Sequence, residues 1–213
     1  MSRYLRLKST VEMATAGSLP RSQSLLRTAR IHKALLAWFD ANGRDLPWRY
    51  TRDPYAILVA EVMLQQTQVE RVIPKYHEFL ELFPTFAELA RANAAEVIRA
   101  WAKLGYNVRA VRLHALAVQV VTEYDGRLPI DLLVLRRLKG IGPYTVAALR
   151  CFAFGKDEVV LDTNIRRVLS RVFYGQSRPS EIDLRATARD VLPIGESWSW
   201  NQALMDLGST ICT

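Results

Sequence analysis

Cysteine is nearly absent from this chain of 213 residues: there are two, Cys151 and Cys212, with no framework spacing between them. A small secreted domain stapled by disulfides does not fit that pattern. No apolar run approaches the ~20 residues that a membrane-spanning helix needs. Alternating apolar and polar runs, the mark of half-buried strands, are few, and there is no internal repeat or low-complexity tract. The opening stretch MSRYLRLKSTVEMATAGSLP is basic and contains Ser and Thr, but it lacks a continuous apolar core. Its composition admits a transit peptide; a disordered leader over residues 1–21, or an early start site, fits it better. Cytoplasmic location is the default expectation, as a nucleoid-associated protein in a bacterium, with nuclear or mitochondrial location in a eukaryote.

What is there is half hydrophobic, so the chain is globular, with material for one or two small domains. It is also basic: 29 Lys and Arg stand against 21 Asp and Glu, a net charge of +8. That balance suits a polyanionic partner, nucleic acid first and an anionic membrane surface second. Arg outnumbers Lys, and its forked donors match phosphate geometry.

Helical spacing dominates the rest. Apolar residues recur at helical intervals from Ser22 to Ala41, and NGRDLPWRY (42–50) reads as a loop. TRDPYAILVAEVMLQQTQ then opens a helix, with Asp53 as N-cap and Pro54 at the first helical position. Pro74 and Pro84 are expected to divide the following residues into short helices. AAEVIRAWAKLGYNVRAVRLHALAVQVVTEY reads as two helices joined at Gly105. GQSRPSEID (175–183) reads as a surface loop, and NQALMDLGSTICT closes the chain on an apolar helix. The sum is an all-α fold of about ten helices.

Between helical stretches at 131–138 and 143–153 stands KGIG, residues 139–142. A tight turn there calls on backbone geometry that Gly adopts most cheaply. It leaves the first amides of the second helix without partners, at the positive end of the helix dipole. Those donors, approachable across Gly140 and Gly142 and supported by Lys139, suit a phosphate. An ordinary turn between two helices, capped by Gly, explains the same four residues. Tyr144 and Thr145, which follow at once, favour the phosphate reading.

Two carboxylates stand out. Glu61 sits in YAILVAEVML, apolar on nearly every side, and such a helix is usually buried. Desolvation disfavours its charged form, which suits a general acid. A structural Glu paired with an Arg from another helix is the competing reading. Asp162 follows VVL and precedes TNIRRVLSRVF, where a helix N-terminus is expected to hold it ionised; most Asp residues at such junctions are simply caps. A protonated and an ionised carboxyl group together suit acid-assisted cleavage at a sugar carbon, one protonating the leaving group and the other offsetting positive charge on the sugar.

Six segments taken together resemble the helix-hairpin-helix, Gly/Pro-Asp (HhH-GPD) superfamily of base-excision DNA glycosylases, and most of all its MutY-type adenine glycosylase branch. They are LPWR, DPYAILVAEVMLQQTQVERVIPKY, LGYNVRAVRLH, LKGIGPYTVAAL, AFGKDEVVLDTNIRRVLSR and NQALMDLGSTIC, in the family's order over roughly residues 30–212. The resemblance implies a two-lobed helical fold with the active-site cleft between the lobes. One lobe would be a six-helix unit over about 50–160 that holds the hairpin at 131–153; the other would come from 22–49 and 161–213.

It further implies that Glu61 protonates a ring nitrogen of a flipped adenine and then helps activate water. Asp162 would stabilise the oxocarbenium-like sugar, Tyr144 would line the site, and Asn164 would hold the water and carboxylate network. Arg49 and Asp206 would surround the adenine. Gln66, Thr67 and Tyr106, with Gln65 beside them, would enter the duplex and fill the stack when the target base leaves. Lys139, Gly140, Gly142 and Thr145 would grip the DNA backbone. The implied partner is double-stranded DNA carrying a mismatch or an oxidised base, bound by a monomer, with no membrane.

Where the endonuclease III branch has a nucleophilic Lys, this chain has Tyr144, which cannot form a Schiff base. A water-using, monofunctional enzyme follows, with little or no lyase activity. A branch acting on thymine or uracil at G mismatches shares the Tyr but carries basic residues where Gln65 and Gln66 stand; those glutamines favour adenine. An inactive DNA-binding relative is disfavoured because both carboxylates are present. Two positions depart from the family: Asn107 stands for a usual second Tyr, and Thr163 for a usual Gly. The Cys matching Cys212 is the first of four ligands to an iron–sulfur cluster, and the other three are absent from these residues. A [4Fe–4S] cluster is therefore expected only if the natural protein continues past Thr213. The domain with which the family recognises 8-oxoguanine also has no counterpart here.

Overall fold

Every residue from Tyr55 to Met63 is buried, as a helix that is apolar all round requires. A computed structural model describes residues 21–213, so the proposed leader lies, but for Arg21, outside the described residues. The described residues form eleven α-helices, a 3₁₀ turn and a π-helical segment, with no strand. No described helix is long and apolar enough to cross a membrane. The chain divides into two compact units.

The first unit combines the described residues up to Arg44 with Lys156–Thr213. It holds α1 (Arg21–Asn42), α9 (Thr163–Tyr174), α10 (Glu181–Asp190) and α11 (Ser197–Thr210). Leu35, Ile165, Leu169, Leu184, Trp200 and Leu204 meet in its core. α11 packs against both α1 and α9. The expected loop at 175–183 is shorter than its composition suggests. The Ser180 hydroxyl accepts the Asp183 amide at 3.1 Å and starts α10 at Glu181, a cap that a purely compositional reading passes over.

The second unit, Asp45–Gly155, is organised around α2 (Pro54–Leu64). The Asp53 carboxylate accepts the amides of Tyr55 and Ala56 at 3.1 and 3.3 Å, and Pro54 needs no partner at the first position. Around it lie the 3₁₀ turn Pro47–Arg49, α3 (Val69–Leu82), α4 (Phe86–Arg91), α5 (Ala94–Ala100) and α6 (Val108–Tyr124). The hairpin helices α7 (Leu132–Leu135) and α8 (Pro143–Ala148) follow, and the π-helical segment Leu149–Ala153 continues α8. Pro74 does not divide the chain but lies inside α3. It forfeits one backbone bond, which burial of Val72, Tyr76 and Phe79 along the same helix offsets. The first hairpin helix is shorter than expected. The second runs on to Ala153 because the Phe154 amide reaches back five residues to the Leu149 carbonyl, at 3.1 Å.

Candidate active-site and nucleic-acid-binding residues

Glu61 lies in the last turns of α2 and is 6% exposed. Its burial follows from its neighbours: Leu58, Val59 and Met63 are all fully enclosed. α8, which carries the half-buried Tyr144 on its first turn, packs against α2, as does the 3₁₀ turn ending at the half-buried Arg49. This unit therefore gathers a buried carboxyl group, a phenol and a guanidinium on elements that share one helix as their support.

Past the end of α2, Gln65 and Gln66 are exposed and Thr67 is half-buried. Gln66 has φ +54°, Tyr106 has φ +47°, and Gly105 beside it has φ +75°. A left-handed backbone costs a non-glycine residue ~1–2 kcal/mol. Tyr106 is 65% exposed, so it does not belong to the core. Asn107 is exposed at the start of α6. Arg109, absent from the sequence expectations, binds carbonyls on both sides of this region. Burial pushes its pKa down, with the Tyr106 phenol opposing. Nothing in LGYNVRAVRLH marks that Arg as different from its neighbours Arg112 or Arg99.

The hairpin turn needs glycine at one position, not two. Gly140 has φ +87°, where a side chain is strained. Gly142 has φ −88° and ψ 171°, an extended conformation open to any residue, with nothing within 4 Å of where a Cβ would stand. Its missing side chain therefore leaves open space at the start of α8 rather than permitting the turn. Lys139 is exposed, and its amide donates to Gln119 at 3.2 Å. Thr145, on the first turn of α8, is buried.

In the first unit, Asp162 caps α9. Its Oδ1 accepts the Ile165 amide at 2.6 Å, and its Oδ2 accepts the Asn164 side-chain amide at 2.9 Å. Arg167 donates to the Asn164 Oδ1 at 2.9 Å, which fixes the amide so that its NH₂ faces the carboxylate. Arg167 also donates to the Gly208 carbonyl at 2.7 Å and to the Cys212 carbonyl. Asn164 lies so close to α11 that a Cβ on Gly208 would stand 2.5 Å from its Cβ and 2.9 Å from its Cα.

The helix terminus lowers the Asp162 pKa as expected, but it does not set the net direction of the shift. Burial raises its pKa above the ordinary carboxylate range and outweighs the Ile165 amide, the Asn164 bonds and the Arg167 charge, all of which lower it. The folded-state pKa thus lies above the unfolded one. The stability this group contributes is present below about pH 3.9, the ordinary Asp value, and is lost as pH rises through the raised pKa. We expect thermal unfolding followed against pH to show this loss in the wild type and not in Asp162→Ala.

Asp206 is 0% exposed. Its Oδ1 accepts Arg44 Nε at 2.7 Å and its Oδ2 accepts the Arg44 amide at 2.8 Å. Through these bonds it ties the chain after α1 to α11. Removing one partner of a buried pair leaves the other charge uncompensated. Because Arg44 is part-exposed, Asp206→Asn is expected to cost about 2 kcal/mol, read as a lower Tm.

Cys212 is half-buried, and its Sγ accepts Arg171 Nη1 at 3.1 Å. Cys151 is buried in the π-helical segment. Among the described residues no three His, Cys, Asp or Glu cluster as a metal site. An iron–sulfur cluster takes four thiolates and these residues hold two, so they do not fit the group.

The pattern described as "HhH-GPD superfamily base excision DNA repair protein" matches residues 59–193. An adenine DNA glycosylase of Mycolicibacterium smegmatis is 46% identical over 182 residues, 84% of this chain and 62% of that protein. A thymine/uracil-DNA glycosylase of Methanothermobacter thermautotrophicus is 34% identical over 182 residues, 84% of this chain and 82% of that protein. The solved structure of a thermostable thymine-DNA glycosylase superposes with a TM-score of 0.82 at 33% identity, over 87% of this chain and 88% of that one. The chain spans less than two thirds of the length of the adenine glycosylases of mycobacteria and human that it matches. Its family is nonetheless unambiguous: the chain belongs to the HhH-GPD superfamily of base excision DNA repair proteins.

Proposed function

We propose that this chain is a monofunctional DNA glycosylase that removes adenine mispaired with 8-oxoguanine or guanine. The observation that carries the reading is Glu61, a carboxyl group 6% exposed in the last turns of a buried apolar helix. In its protonated form it delivers a proton to a ring nitrogen of the flipped adenine. Protonation makes the base a better leaving group, and the C1′–N9 bond breaks with its electron pair going to the base. The ionised Asp162 offsets the positive charge left on the sugar, and Asn164 and Arg167 hold the carboxylate in place. Water adds at C1′ and yields its proton to Glu61, restoring the acid. Tyr144 offers no amine to attack the sugar, so the strand is left intact at an abasic site.

Gln66, Thr67 and Tyr106 take the place of the departing base, Arg49 borders the adenine, and the amides opened by Gly142 with Lys139 hold a backbone phosphate. The partner is duplex DNA. Asp162 must be ionised to act, so activity falls as pH drops through its raised pKa. The acid limb of the rate profile therefore lies above the ordinary Asp range.

The alternative reading is removal of thymine or uracil opposite G, the activity named for a relative 34% identical. Gln65 and Gln66 and the higher identity of the adenine glycosylases support the first. The test offers separate duplexes with A opposite 8-oxoguanine, T opposite G, and thymine glycol, and reveals abasic sites with alkali. Cleavage at A supports the proposal. Untouched A with released T replaces it by the second reading.

A further inference from the structure

Arg109 is a cation 6% exposed, and no described carboxylate pairs with it. Its counter-charge is made of oxygen dipoles. Nη1 donates to the carbonyls of Val62 and Met63, each at 3.0 Å, and to that of Gln65. Nη2 donates to Thr67 Oγ1 at 3.0 Å, to the Leu104 carbonyl at 3.4 Å and to the Gly105 carbonyl at 3.1 Å. Nε is buried with no partner.

These acceptors fall into two sets. Four belong to the end of α2 and the turn after it, where the last carbonyls of a helix have no intrahelical partner and the dipole is negative. Two belong to the loop that leads into α6. The guanidinium also lies 5.5 Å from the Trp101 ring and 5.9 Å from the Tyr106 ring. Trp101 Nε1 donates to the Gly105 carbonyl at 3.2 Å, so that oxygen is held from two directions.

A buried charge without a counter-ion is costly, and filling the same space with a Leu or Met would avoid the cost. What a forked cation does, and an apolar side chain does not, is fix two separate turns to one plane of donors. Both turns carry an exposed residue with a left-handed backbone, Gln66 in one and Tyr106 in the other. Without an external hold each relaxes toward negative φ, and its side chain turns away.

We infer that Arg109 is a positioning residue that locks the Gln66 and Tyr106 turns together, so that the two side chains enter the duplex as one preformed wedge. The inference rests on the proposed base-excision reading and adds to it a residue that touches neither the target base nor the reacting atoms. Ordering the wedge before DNA arrives removes the cost of ordering it during flipping.

The test compares wild type, Arg109→Lys, Tyr106→Ala and the double variant on a duplex carrying 2-aminopurine at the target position, whose fluorescence rises when the base leaves the stack. Far-UV circular dichroism and binding of an undamaged duplex control for folding and backbone grip. Lys keeps the charge but not the fork. Arg109→Lys is expected to fold, to bind undamaged duplex like wild type, and to lose the flipping equilibrium on the order of tenfold, the scale of one lost base–aromatic stack. Added to Tyr106→Ala, it is expected to cost less than about twofold more, because both act through one wedge.

Wild-type flipping in Arg109→Lys overturns the inference, as do losses that multiply in the double variant. If Lys, Gln and Met at this position all prevent folding, Arg109 belongs to the core alone and the inference also falls. A wild-type protein that gives no fluorescence change overturns the base-excision reading, and the inference with it.

Discussion

Glu61→Gln is expected to lose base release by about 10²–10⁴-fold, the range assigned to a positioned general acid. Gln matches Glu in size and shape but has no acidic proton to transfer to the leaving base, and it cannot take one from water. The substitution also removes any cost of burying a charge at a site 6% exposed, so the fold is expected to be retained or slightly stabilised. Duplex binding is expected to persist, because the residues proposed to hold the DNA backbone, Lys139 and Gly142, belong to the hairpin rather than to α2. Single-turnover release and gel-shift affinity, measured on the same preparation, separate the two effects. Release near the wild-type rate would make Glu61 a structural residue and leave the chain without its acid.

Gly208→Ala is expected to reduce stability and activity together, through its contact with Asn164. The added Cβ would stand 2.5 Å from the Asn164 Cβ and 2.9 Å from its Cα and carbonyl oxygen. None of these atoms is the end of a flexible side chain, so α9 and α11 must move apart. Overpacking of this kind costs about 1–3 kcal/mol. For a chain of this length that lowers Tm by about 5 °C. The displacement acts on Asn164, which holds Asp162 Oδ2, and on the Gly208 carbonyl, which accepts from Arg167. Losing the Asn164 bond removes one of the interactions that lower the Asp162 pKa, so the acid limb of the rate profile moves to higher pH. A lower Tm with an unmoved acid limb would mean that Gly208 serves packing only.

Features of this molecule that depend on neighbouring residues in the chain could be read from sequence. α2 begins where Asp53 and Pro54 indicate, and it is buried because apolar residues surround Glu61 in the sequence itself. Asp162 caps a helix because it stands between an extended apolar stretch and an amphipathic one. Features that depend on what comes near in space could not. Gly208 reads as a weak helix former, and only the backbone of α9 beside it shows why a side chain is not tolerated. Arg109 looks like any Arg on a helix until the carbonyls of α2 surround it.

At Asp162 the local donors lower the pKa, but burial outweighs them, and the extent of burial is a tertiary quantity. The bonds from Arg44 to the Asp206 carboxylate join residues 162 positions apart, and no local pattern announces them. Pro74 shows the reverse case, a local rule overridden: the packed face of α3 tolerates the break in its hydrogen bonding.

The most direct measurement is single-turnover incubation of this chain with a duplex carrying adenine opposite 8-oxoguanine, with the released base and the strand both identified by mass spectrometry. The account predicts free adenine and an unbroken strand that breaks only after alkali. No adenine release, or strand cleavage without alkali together with a borohydride-trapped covalent complex, would contradict it.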